Sequence, residues 1–199
     1  MVSTRTGLDL YNNTMINTPK YIVIHCTDVS WKALRNQINS VEGSHKGRGF
    51  PLSSLGYHVG YHHLITGGID YQTRRLYEVG AHCNQAENGK SVNTQSIGIC
   101  VGFDGDVEYP HHEDYALLQK RVWGLQDELQ IPNEDVRFHR HWAKDKTCPG
   151  TLCGEEWLKN LLRRSSEKPL AQEDKQRDIL LQRISLLQRI ISLYLNLKK

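Results

Sequence analysis

The sequence is rich in side chains that bind metal ions, with ten histidines and five cysteines among its 199 residues. His25 lies near the end of an apolar run, His139 lies in a short run late in the chain, and Cys148 follows in a Thr-Cys-Pro-Gly loop. Two imidazoles and one thiolate suit tetrahedral zinc, and three protein ligands leave a fourth position for water. Residue types alone do not decide the matter, because a histidine in an apolar strand is more often a hydrogen-bonded core residue.

The apolar pattern predicts strands and helices that alternate along one compact stretch of the chain. Gly67-Gly68 is expected to turn one strand back on the next as a hairpin. This alternation predicts an α/β fold with a mixed central β-sheet flanked by helices. The predicted strands are residues 21–27, 56–66, 69–79, 96–103 and 136–142, and the predicted helices are residues 31–46, 112–130 and 155–164.

Composition and charge set the broad class of the protein. Hydrophobic residues make up 38% and charged residues 24%, as in an ordinary globular protein. The formal net charge of +3 is too small to indicate a nucleic-acid partner. The odd cysteine count predicts a reducing compartment without structural disulfides. Because the start of the chain lacks the apolar core of a signal peptide, we expect synthesis in the cytoplasm.

The chain divides into four parts by composition. Residues 1–19 are polar and predict an extended arm, and residues 20–164 hold the predicted sheet and all the candidate metal ligands. Residues 165–177 are polar and contain a proline, which is typical of a linker. Residues 178–199 predict a C-terminal amphipathic helix whose apolar arc is too wide for a helix surrounded by water.

Three partners could cover the apolar arc of residues 178–199. Self-association into a homo-oligomer is favoured, because apolar residues recur at alternating spacings of four and three, as in a helical bundle. Packing against the chain's own folded domain is the second alternative. Insertion into a membrane surface is the third and less favoured one, aided by the basic residues of this segment. The residues with the bundle spacing are Leu180, Ile184, Leu187, Ile191 and Tyr194.

Five motifs between residues 20 and 160 carry a family resemblance. They read I-V-I-H-C-T, G-Y-H-H-L-I, G-A-H-C, N-T-Q-S-I-G-I-C and F-H-R-H-W-A-K-D-K-T-C-P-G, in that order. In this order they resemble the type 2 N-acetylmuramoyl-L-alanine amidases. That superfamily also contains the peptidoglycan recognition proteins and the zinc amidase endolysins of bacteriophages. The resemblance implies a single zinc amidase catalytic domain at residues 20–164, with Zn²⁺ as its cofactor.

The resemblance also assigns roles to five residues. It implies that His25, His139 and Cys148 are the zinc ligands. The tyrosine of the family's G-Y-H segment corresponds to Tyr61, and the lysine two residues before the cysteine ligand corresponds to Lys146. Both are expected to be catalytic: Lys146 as a donor to the oxyanion of the tetrahedral intermediate, and Tyr61 as a donor or as the group that orients water.

Four further positions follow from the same alignment of motifs. His82 falls where related phage amidases carry a histidine near the cleft, so it is a candidate for substrate binding. Asn93 is a second candidate, with a turn-forming asparagine as the alternative. The chain departs from the common pattern at Cys26, where a second histidine is frequent, and at His141, which replaces an acidic residue. The second departure leaves open what that acid would orient.

The implied reaction is hydrolysis of the amide between N-acetylmuramic acid and L-alanine in bacterial peptidoglycan. The chain would then act as a phage-type endolysin, bacteriolytic and antimicrobial, on the cell wall after release from the host cytoplasm. A non-catalytic peptidoglycan-binding module and a cytoplasmic muropeptide-recycling amidase are the alternatives. Members that bind without cleaving lack the cysteine ligand, so Cys148 favours an enzyme.

Overall fold

The computed structural model of the chain describes residues 16–164. Most of the predicted arm, the linker at residues 165–177 and the helix at residues 178–199 lie outside the described residues. Within residues 16–164, no helix has the length and apolar character needed to cross a membrane.

One central sheet organises the described part of the chain. In chain order the elements are β1 (Tyr21–Cys26), α1 (Ile38–Gly47), β2 (His63–Thr66), β3 (Ile69–Gln72), β4 (Ala86–Glu87), β5 (Lys90–Ser91), β6 (Ser96–Val101), α2 (His112–Leu129), β7 (Val136–Phe138) and α3 (Glu155–Leu162). The five strands of the sheet run in the order β3-β2-β6-β1-β7, while β4 and β5 form a separate small ladder. The interior strand β1 pairs in parallel with β6 and β7, and β2 is parallel to β6 but antiparallel to β3, so the predicted mixed α/β architecture is confirmed.

The two faces of the sheet carry different side chains and have different neighbours. Successive side chains of a strand point to opposite faces. In β1, Ile22 and Ile24 therefore pack into the core that α2 and α3 cover, while Val23 and His25 point to the other face. Ile22 and Ile24 are fully buried, and each such side chain stabilises the fold by about 1.5–3 kcal/mol. α2 and α3 thus cover one face, and the opposite face carries His25 beside a smaller apolar cluster that contains Val23.

The second predicted strand is shorter than its pattern indicates. β2 begins at His63, because the preceding residues form a loop that is pressed against a neighbouring segment. A Cβ on Gly60 would lie only 2.5 Å from the Ala81 carbonyl oxygen, so this loop needs glycine where it crosses. The strands predicted at residues 69–79, 96–103 and 136–142 also end early, at Gln72, Val101 and Phe138.

The first predicted helix begins later than expected. Residues 31–37 form turns, and α1 starts at Ile38. The backbone N–H of Gln37 donates to the Thr66 hydroxyl at 3.1 Å, and the backbone N–H of Ile38 donates to the Asn36 side chain at 3.2 Å. Side-chain oxygens therefore satisfy amides that a longer helix would have bonded internally.

The end of the predicted arm is docked on the sheet domain. Asn17 is buried, and its Nδ2 donates to the carbonyl oxygens of Leu76 at 2.8 Å and Ser96 at 3.0 Å. Its backbone N–H donates to the Tyr77 carbonyl at 2.8 Å. Residues 16–18 therefore pack with the domain that was predicted to begin at residue 20.

A buried histidine beside β2 makes the fold sensitive to acid. His62 is fully buried, its Nδ1 accepts a hydrogen bond from the Gly98 backbone N–H at 3.1 Å, and its Nε2–H donates to the Glu78 carbonyl at 2.9 Å. Burial lowers the pKa of His62 to about 4. The unfolded chain therefore takes up a proton below pH 6.5 that the folded chain does not take up until about pH 4.

We expect the free energy of unfolding to fall between pH 7.5 and pH 5, with His62 responsible for about 2 kcal/mol of the loss. His62→Gln should be less stable at pH 7.5 and should lose about 2 kcal/mol less than the parent chain over that range. Urea unfolding of both proteins at the two pH values measures this difference. Equal losses in the two proteins would contradict it.

Candidate metal centre and cleft

Three of the predicted site residues lie close together at one edge of the sheet. The metal-binding atoms of His25, His139 and Cys148 all lie within 4.8 Å of one another. The His25 and His139 ring centres are 4.5 Å apart, and Cys148 Sγ lies 3.7 Å from His25 Nδ1. A tetrahedral zinc ion bound by nitrogen and sulfur would place such atoms about 3.6 Å apart, so the donor set fits this metal in chemistry and in spacing.

The pairing of β1 with β7 brings the two histidines together. Ile24 is paired with Phe138, so the residue after each of them lies at the same edge of the sheet. The predicted strand at residues 136–142 included His139. In the structure His139 begins a 3-10 turn that follows β7. The turn swings its imidazole over the end of β1, towards His25.

The loop of Cys148 is held by the residue that follows His139. The backbone N–H of Arg140 donates to the Cys148 carbonyl at 3.0 Å. Its guanidinium donates to the carbonyls of Thr147 at 2.8 Å and Gly150 at 2.9 Å, and also to that of Cys153. Arg140 therefore links the positions of two of the three candidate ligands.

A second anchor comes from the loop after β6. Asp106 accepts hydrogen bonds from the Thr147 hydroxyl at 2.8 Å and from the Thr151 backbone N–H at 2.7 Å. Beside it, a Cβ on Gly105 would lie 1.7 Å from the Pro149 carbonyl oxygen. The two loops thus touch backbone to backbone, which a side chain at Gly105 would prevent.

The three candidate ligands line an open cleft of about 740 Å³. One wall is the face of α1 that presents residues at helical spacing. Another wall is the loop of residues 81–85 with Asn93. Tyr61 and Lys146, both predicted to be catalytic, line the same cleft. The residues on the first wall are Ser40, Val41, Ser44 and His45 of α1 and Arg48, which directly follows the helix.

Tyr61 and Lys146 differ in their surroundings. The Tyr61 ring lies 5.0 Å from the His25 ring, centre to centre. Burial and the neighbouring thiols of Cys100 and Cys148 hold the pKa of Tyr61 well above 10, so its hydroxyl keeps its proton and is a donor. Lys146 is exposed, lines the cleft and lies two residues before Cys148.

The two predicted substrate contacts have structural partners. The Asn93 side-chain oxygen accepts hydrogen bonds from the backbone N–H groups of His82 and Cys83, each at 2.9 Å. His82 is buried, and its Nδ1 lies 3.1 Å from His25 Nε2. Both residues line the cleft, and both also support its architecture.

Burial favours the neutral form of His25, His82 and His45. It lowers the pKa of His25 and of His82 well below 6.5, and nearby imidazoles lower both further. Burial also lowers the pKa of His45 to about 4, where Arg48 adds to the effect. A neutral imidazole is the form that binds a metal ion, so at neutral pH His25 is already in that form.

The two departures from the family pattern lie in different places. Cys26 contacts Cys148, and this contact together with burial raises the pKa of the Cys26 thiol, so it stays protonated beside the candidate ligand. His141 is exposed, and its Nε2 lies 3.0 Å from an Arg137 nitrogen. It does not line the cleft.

Sequence reasoning missed His45 as a cleft residue. Its Nδ1 accepts a hydrogen bond from the Gly60 backbone N–H at 2.9 Å, and its ring lies 5.3 Å from that of Tyr61. The helical spacing of Val41, His45 and Arg48 carried a signal for a shared face. Asp106 and Arg140 were missed as well, because most of their partners are backbone groups, which leave no pattern in the sequence.

Comparisons with known proteins agree with this geometry. The chain is similar to the N-acetylmuramoyl-L-alanine amidase LysC from Clostridium intestinale URNW, with 26% identity and a TM-score of 0.57 over 73% of this chain and 86% of that one. It is also similar to the catalytic domain of XlyA, with 25% identity and a TM-score of 0.52 over 76% and 90%. The Ph2119 endolysin from the Thermus scotoductus MAT2119 bacteriophage Ph2119 shares the fold, with 20% identity and a TM-score of 0.52 over 74% and 87%.

Curated proteins give no match. The family model described as N-acetylmuramoyl-L-alanine amidase matches residues 15–151, which is more than half of the chain and includes the cleft and all three candidate ligands. The chain belongs to the N-acetylmuramoyl-L-alanine amidase family.

Proposed function

We propose that the protein is a zinc-dependent endolysin that hydrolyses the amide between N-acetylmuramic acid and L-alanine in bacterial peptidoglycan. Family membership supports peptidoglycan amidase activity. The observation that carries the finer proposal is the convergence of His25, His139 and Cys148 at the floor of an open cleft. The solved structures that the chain resembles include an amidase and an endolysin, which supports the lytic role.

His25, His139 and Cys148, which line the cleft, would hold the metal. A zinc ion bound there would supply Lewis acidity, which lowers the pKa of bound water to about 7 and polarises the scissile carbonyl. Water adds to the carbonyl carbon, the carbon–nitrogen bond breaks, and the alanine amine leaves with a proton. The products are a lactyl carboxylate and a stem peptide with a free amino terminus.

Lys146 and Tyr61 would act on the charge that develops during this reaction. The Lys146 ammonium group enters the cleft beside Cys148 and can donate to the oxyanion of the tetrahedral intermediate. Tyr61 keeps its hydroxyl proton and lies against the His25 ring, so it can donate to the intermediate or orient water. The wall that contains His82 and Asn93 would contact the glycan or the first residues of the stem peptide.

Residues outside the cleft are part of the same proposal. Residues 20–164 would be the catalytic domain, with residues 16–19 packed against it. Residues 165–177 would link this domain to a helix at residues 178–199 that mediates self-association. The protein would be made in the host cytoplasm and would reach the wall after release.

The reaction is tested by incubating purified sacculi with the full-length protein, with and without a chelator. We expect new L-alanine amino termini to appear, to be lost with the chelator and to return with added zinc. Soluble muropeptides in a parallel reaction distinguish wall lysis from recycling, because a lytic enzyme should prefer the sacculi. Release of reducing sugar ends in place of amino termini would show a glycosidase and overturn the proposal.

We expect Lys146→Ala and Tyr61→Phe each to reduce turnover by about 10²–10³-fold, because each removes a donor to the developing oxyanion. Zinc content and thermal stability should stay near those of the parent. Two matched controls should keep full turnover, because neither residue lines the cleft. They are Lys144→Ala, in the same exposed loop as Lys146, and Tyr57→Phe, four residues before Tyr61. Near-normal turnover in both test variants would remove these residues from the mechanism.

Metal content tests the ligand set directly. After dialysis against buffer that contains zinc and then buffer without it, the parent should retain about one zinc ion per chain. Cys148→Ser should lose the ion, because a serine hydroxyl does not replace a thiolate as a zinc ligand. Cys83→Ser, at another cysteine of the cleft wall, is the control and should keep it. Full zinc content in Cys148→Ser would exclude this cysteine as a ligand.

A further inference from the structure

A second imidazole stands directly behind the candidate ligand His25. His25 uses Nδ1 on the side of Cys148, at 3.7 Å, and Nε2 on the side of His82, where the two nitrogens are 3.1 Å apart. The 3.1 Å separation of the facing nitrogens of His25 and His82 is that of a hydrogen bond, so a single hydrogen lies between them. The surroundings of His82 decide which ring carries it.

The far side of His82 faces a hydroxyl whose hydrogen is already committed. Ser96 Oγ donates to the Val92 carbonyl at 2.6 Å, so it offers only lone pairs to other neighbours. His82 Nε2 lies 3.4 Å from this oxygen and must therefore carry the hydrogen in that contact. A neutral imidazole with its hydrogen on Nε2 has a lone pair on Nδ1. His82 Nδ1 is therefore the acceptor, and His25 Nε2–H is the donor.

The His82 ring is held in a slot that two glycines form. A Cβ on Gly98 would lie 2.5 Å from His82 Cγ, and a Cβ on Gly80 would lie 2.5 Å from His82 Cδ2. The backbone N–H of His82 is bound by the Asn93 side chain at 2.9 Å. The ring therefore occupies space that only glycine leaves free at both positions, and its backbone is anchored beside it.

This arrangement determines what His25 offers on its other side. When His25 donates through Nε2–H, its Nδ1 carries a lone pair, and Nδ1 is the atom that faces Cys148. Partners behind a metal-binding histidine set its tautomer and its ring orientation in this way, and their loss typically weakens metal binding by about 10–100-fold.

We propose that His82 is a positioning residue that orients His25 and selects its Nδ1 lone pair for the metal, in place of a direct contact with substrate. The proposal rests on the zinc centre described under the proposed function. It assigns the slot formed by Gly80 and Gly98 to the metal centre, although neither glycine touches a candidate ligand.

The test compares two substitutions of similar size in the full-length protein. His82→Asn keeps an acceptor at the position of Nδ1, whereas His82→Leu is apolar there. Zinc affinity is measured by competition with a chromophoric chelator, and the cobalt-substituted proteins report ligand geometry through their absorption bands. We expect zinc affinity about 10–100-fold below the parent in His82→Leu, with altered cobalt bands, and within about threefold of the parent in His82→Asn.

A measurement on the unsubstituted protein does not depend on how the variants fold. Nitrogen-15 NMR of the zinc-loaded chain, with histidine labelled, identifies which ring nitrogen carries hydrogen. We expect the hydrogen on Nε2 in both His25 and His82, and metal on Nδ1 of His25. A hydrogen on Nδ1 of His82 would reverse the direction of the bond and overturn the proposal.

The remaining outcomes separate this proposal from the zinc proposal itself. A parent protein that binds no zinc overturns the proposed function. A parent that binds zinc, together with His82→Leu of equal affinity, overturns only the role of His82. Equal losses in the Asn and Leu variants would show that the ring merely fills space. A raised KM with unchanged zinc affinity in His82→Leu would restore His82 as a substrate contact.

Discussion

The fold depends on one requirement of its interior strand β1: this strand carries an imidazole where buried apolar side chains are otherwise expected. An unsatisfied polar atom in such a position would destabilise the fold by about 1–3 kcal/mol. Both ring nitrogens of His25 have neighbours, with His82 on one side and Cys148 on the other. The loops on this face of the sheet therefore do more than cover it, because they supply the partners that make a histidine tolerable in the core.

The site is assembled from segments that are far apart in the chain, and ordinary contacts hold those segments together. Arg140 binds three carbonyls of the loop that contains Cys148, and Asp106 binds the same loop from the opposite side. Neither side chain lines the cleft. Ordering such a loop opposes folding through the loss of conformational entropy, and these hydrogen bonds offset part of that loss before any metal binds.

The sheet and its helices were largely predictable from the sequence, because they depend on apolar periodicity. The runs that became β1, β6 and α2 are each long enough to bury one side, and their patterns identified them. Periodicity was misleading where a loop is apolar and glycine-rich. Residues 56–62 were predicted to be part of a strand, but they form a loop that packs against Ala81. The start of α1 was placed too early because the competing hydrogen bonds come from Thr66, which is distant in sequence.

The candidate site was predictable for a different reason. His25, His139, Cys148, Tyr61 and Lys146 were placed by the order of family motifs, and the structure brings all five to one cleft. The functions of the residues around them were not predictable, because they depend on directions in space. Nothing in the G-A-H-C motif shows that its histidine faces another imidazole, and nothing near Asp106 shows that it binds a loop more than forty residues later.

The division of the cleft between a sheet-borne floor and a wall formed by α1 has a consequence for engineering new specificities. The exposed positions of that wall, Ser40, Ser44 and Arg48, belong to one continuous segment and contribute no candidate ligand. A library confined to these positions would vary the lining of the cleft and leave the three candidate ligands unchanged. Within that segment His45 should be kept, because its bond to Gly60 joins the wall to the stretch that carries Tyr61.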